Sequence, residues 1–125
     1  MSQKAKILIV DDEEVMRSLF SDLLGDQGHE VSCAQNGKEA MGLVKEKIFQ
    51  IAFIDVHMPV MNGIETLRAI KEISPQTTIV MMDSFPDILV EEAKREGAIT
   101  CIHKPFNIQE VIEVVQEILE RIQKV

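Results

Sequence analysis

Only two cysteines, Cys33 and Cys101, occur in the 125 residues, and no CxxC pair brings sulfurs together. The three histidines, His29, His57 and His103, follow neither the zinc-finger nor the HExxH spacing. The cysteines therefore read as reduced thiols buried in a cytosolic protein. Positive charge is also scarce. Thirteen Lys and Arg stand against 21 Asp and Glu, a formal net charge of -8. That balance argues against nucleic-acid binding by this chain, because phosphate contacts need basic side chains. A further domain could still bind DNA. No apolar stretch approaches membrane-spanning length. The short apolar run in MSQKAKILIVDDEE is followed at once by acids, unlike a signal peptide. A cytoplasmic location without membrane contact is expected. Repeats, linkers and low-complexity tracts are missing, so residues 1–125 are expected to form a single domain, long enough to bury a core.

What is present is alternation. Apolar runs at Lys6–Val10, Glu30–Ala34, Ile51–Ile54, Thr78–Met82 and Ile99–Ile102 read as strands. Helical patterns separate them: Glu14–Leu24, with Val15, Met16, Leu19, Phe20 and Leu23 on one side, then Lys38–Lys47, Ile64–Glu72 and about Pro86–Glu96. Gly25 and Gly28 read as the close of the first helix, and Asn36-Gly37, Ser74-Pro75 and Gly97 as further punctuation. The last helix carries Ile108, Val111, Ile112, Val115, Ile118, Leu119 and Ile122 at three- and four-residue intervals. Five strands alternating with five helices imply an α/β fold, a doubly wound five-stranded parallel sheet with helices on both faces. In such a sheet, ligands bind beyond the C-terminal strand ends, where strand order reverses. Asp11, Asp12, Asp55, Asp83 and Lys104 all fall at those ends.

Clustered carboxylates repel unless a cation sits between them. Oxygen-only ligands suit a hard divalent ion, and Mg²⁺ fits, because it takes one or two carboxylates and fills its octahedron with water and phosphate oxygens. A carboxylate can also act as a nucleophile and form an acyl phosphate, with a lysine pairing the phosphoryl oxygens. Helix capping or simple solvent exposure accounts for Glu13 and Glu14, but poorly for the whole set.

The acid pair in ILIVDDE, the strand-end acid and loop in FIDVHMPVMNGIE, and HKPF occur in order on this alternating pattern. Together they resemble a bacterial response-regulator receiver domain, with the flavodoxin-like receiver fold, from Ile7 to about Ile122. The resemblance implies that Asp55 is phosphorylated by a sensor histidine kinase or a phosphotransfer protein. It implies Mg²⁺ held by Asp11, Asp12 and Asp55 and by the backbone carbonyl of His57, with Asp12 a direct ligand and Asp11 acting through water. Lys104 matches the lysine that contacts the phosphoryl group, and Lys104-Pro105 resembles a cis peptide bond. Met58, Pro59, Met61 and Gly63 look like loop packing and turn residues, and His57 and Phe85 stand where dephosphorylation is tuned, with plain surface packing the alternative reading of both. The output implied is a downstream effector protein or domain, engaged through the last two helices and the strand between them. The chain is then either a whole receiver or the N-terminal part of a longer regulator.

Two residues depart from the pattern. Asp83 stands where the family has Thr or Ser, whose hydroxyl donates to the phosphoryl group, and an ionised carboxylate can only accept. Phosphorylated Asp55 would bring close to two negative charges near it. Two unit charges 4 Å apart repel by about 4 kcal/mol at an effective dielectric near 20. Cys101 stands where the family carries Tyr or Phe, so both halves of the usual switch are altered. Three arrangements of Asp83 are open: an ion pair with Lys104, a place beside the metal, or rotation to solvent while Ser84 supplies a hydroxyl. Strand alternation argues against the third.

The leading reading is a phosphoacceptor module that takes a phosphoryl group onto Asp55 and later loses it by hydrolysis, without being a turnover enzyme. The alternative is a phosphate-independent interaction module on the same scaffold, favoured by Asp83 and Cys101. A metal-dependent phosphatase with an aspartyl nucleophile is a third, weakened by the lack of chain for a substrate cap.

Overall fold

Every strand of the sheet divides its side chains between two cores. The computed structural model describes residues 4–58, 61–83 and 88–123, so Pro59, Ser84, Phe85 and Pro86 lie outside the described residues. The elements are β1 (Lys6–Val10), α1 (Glu14–Asp26), β2 (Glu30–Ala34), α2 (Gly37–Glu46), β3 (Ile51–Asp55), α3 (Gly63–Ile73), β4 (Thr78–Asp83), α4 (Ile88–Arg95), β5 (Thr100–His103) and α5 (Ile108–Gln123). All strand pairs are parallel, in the order β2-β1-β3-β4-β5. The chain reverses its direction of growth between β1 and β3, which opens a crevice at their C-terminal ends.

Successive strand residues point to opposite faces. Leu8, Val10, Ala52, Ile54, Ile79 and Met81 enter one core, against α2, α3 and α4. Ile7, Ile9, Ile51, Phe53, Val80, Met82 and Ile102 enter the other, against α1 and α5. A helix on each face explains why KILIV, IAFI and TIVMM are apolar without alternation. Met58 fills the first core, as expected of a packing methionine.

The starts of α2 and α3 are set by side chains that satisfy exposed amides. Asn36 Oδ1 accepts from the Glu39 amide at 2.9 Å. Asn62 and Glu65 form a reciprocal capping box at the start of α3. Gly63, the first residue of α3, lies so close to β3 that an added Cβ would fall 2.3 Å from the Asp55 carbonyl oxygen.

Three expectations need correction. Gly25 lies inside α1, which runs to Asp26; Gly28, at φ 92°, makes the turn, donating its amide to the Gly25 carbonyl. Val15 is 76% exposed, because the stripe of α1 on the sheet is Met16, Phe20, Leu23 and Leu24, leaving Val15 and Leu19 a quarter-turn away. Cys33 and Cys101 are half-buried free thiols instead of fully buried ones. On α5, Val111, Val115, Ile118 and Leu119 are buried, while Ile108 and Ile122 at the ends of the apolar stripe are exposed.

Phe20 is fully buried, its ring 5.2 Å from Phe53 and 5.3 Å from Phe106. Phe20→Ala is expected to destabilise the fold by about 3–5 kcal/mol, and Val15→Ala by less than about 0.5 kcal/mol. Urea unfolding of both variants measures the contrast; equal losses would mean that α1 presents a different face.

Candidate functional site

Parity along the strands decides which strand-end residues meet. Asp11 follows Ile7 and Ile9, and Asp55 follows Ile51 and Phe53, so both lean to the α1/α5 side. Asp11 is completely buried, Asp55 nearly so, and Asp12 is exposed. One carboxylate oxygen from each lies within 4.8 Å of the others. Lys104 follows Ile102 on the same side and supplies the cation. Its Nζ donates to Asp11 Oδ2 at 2.9 Å and to Glu13 Oε1 at 3.3 Å, and stands 3.6 Å from Asp55 Oδ2. The Lys104–Pro105 peptide is cis. Just past β3, the His57 amide donates to Asp55 Oδ1 at 3.2 Å. The His57 side chain is exposed.

Burial pushes the Asp55 carboxyl up to about 6. The Lys104 charge opposes that rise, as does the His57 amide, while Asp11 and Asp12 add to it. Burial alone would lower the Lys104 pKa, but its bond to Asp11, the charges of Asp11 and Asp55, and Glu13 outweigh burial and raise it. The three carboxylates offer only oxygen, converge closely and carry more negative charge than one lysine cancels. This donor set fits a hard divalent cation.

Asp83 occupies a different pocket. It follows Ile79 and Met81 and so leans toward the α2/α3/α4 side, where β5 presents Cys101 and His103. Asp83 is completely buried. Cys101 Sγ donates to Asp83 Oδ2 at 2.7 Å, and His103 Nδ1 lies 2.8 Å from Oδ1 and 3.0 Å from Oδ2. Burial, then the hydrogen bond and charge of Asp83, push the Cys101 thiol up to about 12. All three expected arrangements of Asp83 are thereby corrected. It makes no ion pair with the Lys104 ammonium, it stands outside the Asp11–Asp12–Asp55 group, and it does not turn to solvent. Lys104 meets it through the main chain, its backbone amide donating to the Asp83 carbonyl. His103 was missed in the sequence, although its i, i+2 relation to Cys101 on one strand was a usable signal.

A family model described as the response regulator receiver domain matches residues 7–116. The chain belongs to that family. Sporulation initiation phosphotransferase F of Bacillus subtilis (strain 168) is 32% identical over 115 residues, 91% of this chain and 93% of that protein. Regulatory protein AtoC of Escherichia coli (strain K12) is 34% identical over 116 residues, which span 92% of this chain but 25% of AtoC. The solved structure of chemotaxis protein CheY4 of Vibrio cholerae superposes with a TM-score of 0.86 at 32% identity, over 93% of this chain and 99% of that one. The receiver therefore spans nearly all of some relatives and a small part of others. No helix among its described residues is long and apolar enough to cross a membrane.

The raised Asp55 carboxyl gives this receiver a signed pH dependence. A native-state pKa near 6 against an ordinary 3.8 means that the folded protein binds the proton more tightly than the unfolded chain. Ionised Asp55 therefore costs stability above pH about 6, and the cost fades as pH falls toward 4. In EDTA at pH 7.5, Asp55→Asn is expected to stabilise the fold by about 1–3 kcal/mol, a gain mostly gone near pH 4. Urea unfolding at the two pH values tests this. An equal difference at both would show that the cost is not ionisation.

Proposed function

We propose that the receiver accepts a phosphoryl group onto Asp55 from a phosphohistidine of a sensor histidine kinase or a phosphotransfer protein, within two-component or phosphorelay signalling. The observation that carries this reading is Asp55 itself, a buried carboxylate at a strand end, 3.6 Å from the Lys104 ammonium and grouped with Asp11 and Asp12. An Asp55 oxygen forms the new P–O bond as the N–P bond breaks, and the imidazole leaves with the electron pair. Lys104, held to Asp11, stands ready to pair with phosphoryl oxygens, and the His57 amide orients the Asp55 carboxylate. Asp11, Asp12, Asp55 and the His57 carbonyl would hold Mg²⁺. When bound, that ion neutralises charge on the transferred group. Later hydrolysis by water returns Asp55, so the chemistry is confined to the receiver's own side chain and is not turnover of a separate substrate.

Phosphorylation then biases two conformations and alters a surface recognised by a downstream effector protein or domain, at the face of α4, β5 and α5. Neither nucleic acid nor membrane is a direct partner, and the setting is the cytoplasm. The name of the Bacillus subtilis phosphotransferase supports a phosphorelay role by similarity. The switch is atypical, because Asp83 and Cys101 replace the usual hydroxyl and aromatic ring.

The sequestered Asp83 favours a second reading, phosphate-independent partner binding on the same scaffold. Its carboxylate is committed to Cys101 and His103 and has no hydroxyl to offer a phosphoryl group. Intact-protein mass after incubation with Mg²⁺ and acetyl phosphate separates the two. One added phosphoryl group, dependent on Mg²⁺ and lost in Asp55→Asn, is the expected result, with Asp83→Thr reaching higher occupancy. No addition to the parent, with clear addition to Asp83→Thr, would establish the second reading.

A further inference from the structure

The pocket that captures Asp83 contains three different donor types aimed at one point. Asp83 and His103 are register partners on β4 and β5, and Cys101 stands two residues before His103 on the same face. A carboxylate oxygen, the thiol sulfur and the imidazole Nδ1 all lie within 4.8 Å of one another. The Cys101 thiol and His103 Nδ1 both converge on the same buried carboxylate, at 2.7 and 2.8 Å. We propose that Asp83, Cys101 and His103 form a second metal site, selective for Zn²⁺-class ions and separate from the Asp11–Asp12–Asp55 group.

The donors decide the selectivity. Sulfur, nitrogen and oxygen together suit Zn²⁺ or Co²⁺, whereas Mg²⁺ demands oxygen and dehydrates reluctantly. Three protein ligands leave one position of a tetrahedron for water. Burial of the whole Asp83 side chain fixes one donor, and the 60% exposure of the His103 side chain gives an ion a route in from solvent. The charges also close, because a thiolate and a carboxylate neutralise one divalent ion. On binding, the S–H bond breaks, sulfur keeps the electron pair and bonds the metal, and one proton leaves to water. The imidazole stays neutral by a change of tautomer: the Nδ1 proton that faces Asp83 is lost to water as Nε2 takes one up, which frees Nδ1 for the metal.

The site shares no side chain with the acid cluster, yet the two touch through the backbone. The Lys104 amide donates to the Asp83 carbonyl, while the Lys104 ammonium holds Asp11. An ion on Asp83, Cys101 and His103 would tether the end of β4 to the end of β5, from which Lys104 projects.

Co²⁺ titration of the metal-free protein in excess Mg²⁺ is the test, read by thiolate-to-cobalt charge-transfer absorption and by the d–d bands of tetrahedral cobalt. One equivalent of Co²⁺ is expected to bind with micromolar or tighter affinity (order of magnitude) and to be displaced by Zn²⁺. Cys33→Ser should keep the band and Cys101→Ser should abolish it. His103→Ala, a change at an exposed side chain, should weaken binding by roughly tenfold or more. A band absent at millimolar Co²⁺, retained in Cys101→Ser, unmoved by His103→Ala, or removed by Mg²⁺ would overturn the site. Circular dichroism of each variant separates lost binding from lost fold.

Discussion

A residue on a doubly covered strand has two directions available to it, and the whole chemistry of this receiver follows from that restriction. Odd-numbered residues of β1 and β3 face α1 and α5, which brings Asp11 and Asp55 together at the crevice. On β4 the odd-numbered residues face the opposite way, so Asp83 is carried to the far side of the sheet. On β5 the parity splits adjacent residues: His103 joins Asp83, and Lys104 joins the acids. The two pockets are separated by one peptide unit of one strand and by the thickness of the sheet.

The electrostatics follow the same division. One ammonium serves Asp11, Glu13 and Asp55, leaving the crevice with surplus negative charge. Burial is the main reason the Asp55 carboxyl is elevated, and repulsion from Asp11 and Asp12 adds to it against the opposing charge of Lys104. In the other pocket the single carboxylate of Asp83 has two neighbours that can each donate a hydrogen, and its charge is dispersed locally. The crevice holds an electrostatic deficit and the pocket behind it does not.

Much of this was legible in the residues. Continuous apolar runs ending in acids gave strands, sheet type and the crevice, because parallel strands buried on both faces have few alternatives. That Lys104 reaches the same end of the sheet as the acids was legible too, since it lies at a strand end. Its partners were not, because the ion pair weighed there was with Asp83, whereas Asp11, Glu13 and Asp55 hold it. The partners of Asp83 were not legible either. Finding them requires the β4–β5 register and the extension of β4 to residue 83, both set by tertiary pairing and not by local pattern. Val15 misled for a related reason: an apolar residue beside a stripe is indistinguishable from one within it until the helix is rotated onto the sheet. Gly25 misled because a glycine near a helix end signals a stop, while the left-handed turn belonged to Gly28.

The bare α-carbon of Gly63 has a mechanical meaning. The first turn of α3 rests directly on the main chain of Asp55 and Val56, with no side chain between them to deform. Soft contacts absorb small displacements by rotamer change, and main chain against main chain cannot. A shift of the Asp55 backbone is therefore passed to the start of α3 without slack. The capping box of Asn62 and Glu65 grips that same end of the helix, so the push is delivered to a rigid rod and not to a fraying terminus.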